Sequence, residues 1–176
     1  MQINKKPSPY LLTPGPLTTS LATKKAMLND IGSWDNDFKQ ITQEIREKLI
    51  QILLETSTQN PSLTSDPYIA IPMQGSGTFA VESMISSLTS KNANILILIN
   101  GAYGHRMKKM CDYLNRNCIA YEVPEDKTHD LNEIEKIINS NSDLTHVFVV
   151  YCETTSGILN PLQDIADLVE KKNLSL

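Results

Sequence analysis

Long hydrophobic runs are absent from this sequence of 176 residues. The longest purely aliphatic run covers residues 95–99, whereas a helix that crosses a bilayer needs roughly 20 consecutive apolar residues. Residues 1–10 are polar and lack the apolar stretch of a secretory signal. These two absences argue against a membrane-spanning helix and a signal peptide. They predict a cytoplasmic protein with no membrane partner.

Cysteine is scarce, and positive charge is outnumbered by negative charge. Cys111, Cys118 and Cys152 show no CxxC spacing, so they predict reduced thiols rather than a disulfide framework or a zinc site. Cys111 also lies on an apolar helical stripe, which predicts a core position. The 16 Lys and Arg residues against 20 Asp and Glu residues give a formal net charge of −4. Because this mild acidity argues against a protein that binds the nucleic-acid backbone, we expect no nucleic-acid partner. We also expect no metal site, because Cys111 and Cys118 with His105 lack the spacing of zinc ligands.

What the sequence does contain, from residue 68 onward, is a regular alternation of two patterns. Four short runs rich in β-branched or aromatic residues predict strands, and an apolar stripe at helical spacing follows each of them. The predicted strands cover residues 68–73, 95–99, 119–123 and 147–151. Continuous apolar strands that alternate with helices are typical of a parallel sheet buried on both faces. The sequence therefore predicts an α/β fold, with a mostly parallel sheet and helices on both faces.

The first third of the chain predicts two helices and two irregular segments. Ser20 is a suitable N-cap for a helix that ends before Gly32, and Asp37 is a suitable N-cap for the next helix. The proline-dense residues 7–16 predict an ordered arm, because proline disrupts the interior of a helix. The polar residues 56–67 predict a loop.

Unusual turn sequences follow the predicted strands, and the first of them carries two glycines. In an open α/β sheet, ligands bind beyond the carboxyl ends of the strands, where these turns are expected. In Gln74-Gly75-Ser76-Gly77-Thr78, backbone N–H groups at a helix start can bind an anion, because the helix dipole favours negative charge there. The same turn is also explained as a tight connection in which Ser and Thr cap the helix. Spacing alone leaves both interpretations open.

The same glycines raise the alternative of a dinucleotide site. Gly75, Gly77 and Ala80 fit the GxGxxG/A fingerprint, which needs an acidic residue about 20 positions further on to hold the ribose. No Asp or Glu occurs from residue 93 to residue 110, which disfavours a nicotinamide-dependent oxidoreductase. A P-loop is excluded because no Lys follows the second glycine.

Two later turns add candidates for a ligand site. Tyr103 can place an aromatic face against a flat ring, and Thr154 and Thr155 can donate to ring substituents. The alternatives are an ordinary loop tyrosine and threonines that cap the last helix. His105 and Arg106 are interpreted as a solvated pair in the first turn of a helix.

Taken together, the turns resemble one known family. Five ordered motifs carry the resemblance: Thr13-Pro14-Gly15-Pro16, Gly32-Ser33-Trp34-Asp35, the turn at 74–78, Asn100-Gly101-Ala102-Tyr103-Gly104, and Cys152-Glu153-Thr154-Thr155-Ser156-Gly157-Ile158-Leu159-Asn160-Pro161. In order and spacing they are similar to the N-terminal half of the 2-aminoethylphosphonate–pyruvate transaminases. These are class V-like pyridoxal-phosphate enzymes of fold type I, and their relatives include alanine–glyoxylate and serine–pyruvate aminotransferases. The resemblance extends from about residue 10 to residue 176.

The resemblance implies a reaction, its substrates and an organisation of the chain. The amino group of 2-aminoethylphosphonate moves to pyruvate, giving phosphonoacetaldehyde and alanine, in phosphonate catabolism. A small amine and a 2-oxo acid are then the substrates, and the complete protein is a homodimer. Residues 1–36 form an arm and first helix that line the site and the dimer interface. Residues 37–176 form part of the large domain that binds the cofactor.

The resemblance also implies roles for individual residues toward pyridoxal 5′-phosphate. The cofactor phosphate is bound by one turn, its ring is stacked on an aromatic side chain, and a hydroxyl contacts the ring. The implied cofactor-binding residues are Ser76, Gly77 and Thr78 for the phosphate, Tyr103 for stacking and Thr154 for the hydroxyl contact. Gly15 and Trp34 are the implied substrate-binding residues.

Two side chains that this chemistry needs are expected beyond Leu176. One is the Lys that forms a Schiff base with the cofactor, and the other is the Asp that pairs with the pyridinium nitrogen. Residues 174–176 are interpreted as the start of the strand that ends in this Asp. No catalytic residue is therefore assigned, and the 176 residues alone are expected to be inactive. A non-catalytic or split-protein binding or assembly module stays an alternative, as does an alanine–glyoxylate or serine–pyruvate type of aminotransferase.

Overall fold

A computed structural model describes residues 9–13, 15–56 and 68–176. The described residues form two compact units, the first ending at Gln74 and the second running from Gly75 to Leu176. Residues 7, 8 and 14 of the predicted arm and residues 57–67 of the predicted loop lie outside the described residues. The predicted division of roles between residues 1–36 and 37–176 stays a prediction.

The first unit contains the helices α1 (Leu21–Ala26) and α2 (Asn36–Thr56). Ser20 is confirmed as the N-cap of α1, because its side chain accepts a hydrogen bond from the Thr23 N–H. The predicted N-cap Asp37 is wrong, since α2 already includes it in its first turn. Asp35 lies before the helix instead, and its carboxylate accepts from the Gly32 N–H at 2.9 Å. Asp37 still stabilises the helix start, where the dipole favours negative charge.

The predicted strand at residues 68–73 is wrong, because the structure shows irregular backbone there. Its apolar side chains are exposed, with 71% of Ile69, 75% of Ile71 and 74% of Met73 accessible. Pro72 lacks the N–H that a sheet ladder needs, and strand propensity alone cannot supply a paired neighbour. A dinucleotide fingerprint requires a strand directly before its glycines, so this result also removes the structural context of that alternative.

The second unit alternates helices and strands as the sequence predicts. Its elements are α3 (Gly77–Leu88), β1 (Asn94–Ile99), α4 (Ala102–Tyr113), β2 (Asn117–Glu122), α5 (Leu131–Ser140), β3 (His146–Val149), β4 (Cys152–Glu153), β5 (Ile158–Leu159) and α6 (Leu162–Lys171). β1 pairs in parallel with both β2 and β3, which gives the order β2-β1-β3. The three later strands of the prediction are therefore confirmed. β4 and β5 form a separate antiparallel hairpin.

Apolar side chains of β1 alternate between two cores on opposite faces of this sheet. Ile95, Ile97 and Ile99 pack with side chains of α3 and α4, including the fully buried Ile85 and Cys111. Leu96 and Leu98 pack with apolar side chains of α5 and α6 on the other face. The prediction of a parallel sheet with helices on both faces is confirmed. The sheet positions the loops after β1 and β3, which carry the candidate site.

A parallel bridge joins the edge strand β3 to Ser175. The Val147 N–H donates to the Ser175 carbonyl at 2.8 Å, and the Ser175 N–H donates to the Thr145 carbonyl at 3.0 Å. This pairing agrees with the interpretation of residues 174–176 as the start of a strand.

The three cysteines are free, and they lie in different environments. Cys111, on the buried face of α4, is fully buried in the core, as predicted. Burial raises the pKa of its thiol to about 11. Cys152 is exposed. Within the ranges that the structure describes, no helix combines the length and the apolarity needed to cross a membrane.

Candidate functional site

The start of α3 presents backbone N–H groups that the described residues do not use. Ser76 is the N-cap, and its hydroxyl accepts a hydrogen bond from the Phe79 N–H. The first backbone bond of the helix runs from the Ala80 N–H to the Ser76 carbonyl. The N–H groups of Gly77 and Thr78 have no intrahelical acceptor, as expected for a helix start. They are therefore available to an anion.

The two glycines of this turn meet different surroundings. A Cβ atom at Gly75 would lie 2.3 Å from Cδ1 of Phe79, so packing of the Phe79 ring requires glycine there. A Cβ atom at Gly77 would meet nothing within 4 Å among the described residues. A side chain at residue 77 would therefore be accommodated without displacing a neighbour among the described residues.

The start of α4 is filled by a side chain of the protein itself. The Glu153 carboxylate is fully buried, and its Oε2 atom accepts from the N–H groups of Tyr103 at 3.1 Å and Gly104 at 3.4 Å. A Cβ atom at Gly101 would lie 2.3 Å from Cγ of Glu153, so the carboxylate occupies the room beside the helix start. Of the two helix starts, α4 holds an internal carboxylate and α3 is open to an external anion.

The hairpin after β3 carries the predicted hydroxyl residues. Thr155 donates its hydroxyl to Oε1 of Glu153 at 2.6 Å, whereas Thr154 is exposed at the turn. The backbone turns back at Gly157, whose φ of +79° favours glycine. The alternative that these threonines cap α6 is wrong, because Pro161 occupies that N-cap position. Sequence reasoning missed the role of Glu153 because a glutamate in a turn is usually solvated.

Arg106 connects α3 with the aromatic residue of α4. Its Nη1 atom donates to the Thr78 hydroxyl at 3.1 Å, and its Cζ atom lies 5.0 Å from the centre of the Tyr103 ring. His105 and Arg106 are both exposed, in agreement with their interpretation as a solvated pair. His105 lies beside Glu122, with Nε2 3.1 Å from a carboxylate oxygen. The i,i+3 spacing of Tyr103 and Arg106 is the sequence signal that could have indicated their contact.

The structure thus brings together the predicted residues of the second unit. A continuous series of contacts runs from Thr78 through Arg106 to Tyr103, and from the Tyr103 backbone to Glu153, next to Thr154. The predicted substrate residues Gly15 and Trp34 belong to the first unit. Both are exposed, and Lys39 lies 4.9 Å from the centre of the Trp34 ring. Their role toward a substrate stays a prediction.

A buried amide pair fixes the backbone behind these loops. Asn100, after β1, donates to Oδ1 of Asn160 at 2.9 Å, and Asn160 donates back to Oδ1 of Asn100 at 3.1 Å. Asn160 also donates to the Val150 carbonyl at 2.8 Å. The pair therefore links the ends of β1 and β3 to the segment that leads into α6. Its role was not predicted from the sequence.

His129 is the one buried histidine among the described residues. Its ring packs edge-on against Tyr121, with 5.5 Å between ring centres. Burial lowers the pKa of His129 below its ordinary value of 6.5. No group of three or more His, Cys, Asp or Glu side chains within the described ranges could hold a metal ion.

Comparison with curated proteins gives matches over most of the chain, although no protein-family profile matches it. A protein of Pseudomonas putida W619 is 43% identical over 164 residues, covering 93% of this chain, and one of Pseudomonas fluorescens Pf0-1 is 44% identical over the same length. A protein of Paraburkholderia xenovorans LB400 is 42% identical over 172 residues. All three are named 2-aminoethylphosphonate–pyruvate transaminase. The chain spans 42% of the length of each of these relatives.

Solved structures show the same fold at lower identity. Pyridoxamine–pyruvate aminotransferase from Mesorhizobium loti aligns with a TM-score of 0.77 at 20% identity, over 99% of this chain and 42% of its own. Alanine–glyoxylate aminotransferase from Nostoc sp. aligns with a TM-score of 0.71 at 24% identity, over 99% of this chain and 44% of its own.

The fold of the chain is therefore the fold of these aminotransferases, as the sequence predicts. Its sequence is homologous to the N-terminal part of proteins named 2-aminoethylphosphonate–pyruvate transaminase. The predicted resemblance is confirmed.

Replacing Glu153 by alanine is expected to destabilise the second unit. The variant leaves two backbone N–H groups at the start of α4 without an acceptor, and each unsatisfied buried group costs about 1–3 kcal/mol. We expect urea denaturation to show a loss of at least about 2 kcal/mol in the free energy of unfolding. The matched variant Glu82→Ala, at an exposed position of α3, should stay within about 0.5 kcal/mol of the original chain. Equal stability of both variants would contradict the role of Glu153.

The environment of His129 predicts a pH-dependent stability. Because its pKa is lowered in the folded state, the unfolded state binds more protons below pH 6.5. Stability should therefore be full above pH 6.5 and decrease as the pH falls from there toward the lowered pKa. Urea denaturation at about pH 7.5 and about pH 5.5 measures the loss, which should be smaller in His129→Asn. An equal loss of stability in the variant and the original chain would show that other groups cause the pH dependence.

Proposed function

We propose that the open start of α3 binds the phosphate group of pyridoxal 5′-phosphate. We also propose that the complete protein is a 2-aminoethylphosphonate–pyruvate transaminase. The observation that carries the proposal is the pair of available N–H groups at Gly77 and Thr78, connected through Arg106 to Tyr103. It occurs in a chain 42–44% identical to the N-terminal part of proteins with that name.

Phosphate binding at α3 is supported by charge as well as by geometry. The N-terminus of a helix carries a partial positive charge, and its free N–H groups form strong bonds to an anion. The Arg106 guanidinium adds a full positive charge beside Thr78. The start of α4 offers no comparable site, since the buried Glu153 carboxylate is already there. A phosphate is therefore directed to α3.

The ring of the cofactor is proposed to lie against Tyr103, whose side chain stays partly exposed. The Glu153 carboxylate holds the Tyr103 backbone, so the ring is attached to a fixed helix start. Thr154 projects from the turn beside Glu153 and is proposed to donate its hydroxyl to a ring substituent. These residues bind and orient, and they do not carry out the proton transfers of the reaction.

When bound, the cofactor supplies an electron sink for the carbanion that forms at the carbon bearing the amine. The substrates proposed are 2-aminoethylphosphonate and pyruvate, a small amine and a 2-oxo acid. Gly15 and Trp34 are proposed to border the substrate. The complete protein is proposed to be a cytoplasmic homodimer. The Lys and Asp that complete the chemistry are proposed to lie in sequence that this chain does not include.

A negative charge placed at Gly77 tests the phosphate site. Gly77→Asp should fold normally, because a Cβ atom there meets no neighbour and an acidic residue is favourable at a helix start. Its carboxylate should weaken binding of pyridoxal phosphate at least about tenfold through repulsion, as followed by cofactor absorbance. The neutral control Gly77→Ala should lose clearly less of its affinity for pyridoxal phosphate. Equal binding by both variants would place the phosphate elsewhere.

The substrate assignment is tested on the complete protein in which this chain occurs. Loaded with pyridoxal phosphate, it should form alanine from pyruvate only when 2-aminoethylphosphonate is added, as measured by amino-acid analysis. Transfer from alanine to glyoxylate, without use of the phosphonate, would favour the alanine–glyoxylate type. Cofactor binding without any amino transfer would favour a non-catalytic module.

A further inference from the structure

Arg106 lies in the second turn of α4, and its side chain reaches two elements at once. In a helix, side chains lean toward the N-terminus, so residue 106 is directed back over residue 103. Its Cζ atom accordingly lies 5.0 Å from the centre of the Tyr103 ring. Its Nη1 atom crosses to α3 and donates to the Thr78 hydroxyl. Apart from this guanidinium, the described residues show no side-chain link between these two proposed cofactor contacts.

The hydrogen bond from Arg106 determines whether the Thr78 hydroxyl donates or accepts in this contact. A guanidinium has only donors, so the Thr78 oxygen must be the acceptor in the 3.1 Å contact. The hydroxyl proton is then directed to another acceptor. Thr78 also has an available backbone N–H at the start of α3, so both of its donors can serve one anion.

The contact with Tyr103 orients an aromatic ring. A guanidinium over a ring face is attracted to the electron density of that face. About a third of Tyr103 (37%) stays exposed, so part of the ring is accessible to a ligand. A tyrosine at a helix start without such a contact would keep more of its rotamer freedom.

We infer that Arg106 is a positioning residue that fixes the Thr78 hydroxyl and the Tyr103 ring relative to each other for a phosphate-bearing aromatic ligand. In pyridoxal phosphate, covalent bonds set the separation of phosphate and ring, so affinity depends on how well the two contacts match it. Arg106 determines the separation of these two contacts and adds positive charge beside the phosphate contact. This inference rests on the proposed function.

Arginine suits this position better than lysine. Its planar group donates in one direction while it stacks on an aromatic face, whereas an ammonium is a flexible point charge. Because Arg106 is exposed, its contacts contribute little to folding stability. A loss of ligand affinity without a loss of stability therefore separates positioning from a merely structural role.

The test compares three ligands, pyridoxal phosphate, pyridoxal without the phosphate, and inorganic phosphate, by calorimetric titration of the chain. Arg106→Gln should lower the affinity for pyridoxal phosphate about tenfold or more and lower the affinity for pyridoxal clearly less. Arg106→Lys should keep most of the phosphate affinity but recover only part of the affinity for pyridoxal phosphate. The control Lys109→Gln removes one charge from an exposed position of the same helix and should bind like the original chain.

A double-mutant cycle with Thr78→Val completes the test, and urea denaturation of every variant monitors folding. Coupled losses in Arg106→Gln and Thr78→Val support positioning through Thr78, whereas additive losses overturn it. Unchanged affinity in Arg106→Gln, or an equal loss in Lys109→Gln, also overturns the inference. Failure of the original chain to bind pyridoxal phosphate would instead count against the proposed function. Should Arg106→Gln fail to fold, Arg106→Lys and Thr78→Val decide the question by the same criteria.

Discussion

A fully buried carboxylate determines the arrangement of the candidate site. Glu153 lies in β4, shortly after the end of β3. Its carboxylate accepts hydrogen bonds from the Tyr103 and Gly104 N–H groups at the start of α4 and from the Thr155 hydroxyl. A buried charge is tolerated only where donors surround it, and these three donors satisfy that condition. Glycine is required at residue 101 because any larger residue would collide with this side chain. The loops after β1 and β3 are thereby fixed to each other.

The same carboxylate gives the two neighbouring helix starts different roles. α4 is neutralised from inside the protein, so its first turn presents Tyr103 rather than an anion site. α3 has only the short Ser76 cap, and two of its N–H groups are available to a ligand. Arg106 then joins the open helix start to the aromatic ring. A phosphate contact and a ring contact in this order suit the cofactor proposed for the complete protein.

Much of this arrangement is predictable from the sequence, and the exceptions have physical causes. The apolar runs of β1, β2 and β3 are buried and paired, and the Ser76 turn opens a helix. Residues 68–73 have the same strand propensity but no paired neighbour, and propensity cannot reveal pairing. The role of Glu153 was missed because a charged residue in a loop is usually solvated. Arg106 is solvated as predicted, but its contacts with Thr78 and Tyr103 were not foreseen. The roles of Glu153 and Arg106 depend on partners 50 and 28 residues away in sequence.

An external phosphate is proposed to bind the start of α3 and not the start of α4. Amide NMR spectra of the chain, recorded during a titration with inorganic phosphate, test it most directly because they report on each N–H group separately. Concerted shifts of the Gly77 and Thr78 amide signals are expected, with little change at Tyr103 and Gly104. Shifts centred on Tyr103 and Gly104, or no saturable shift at Gly77, would contradict it.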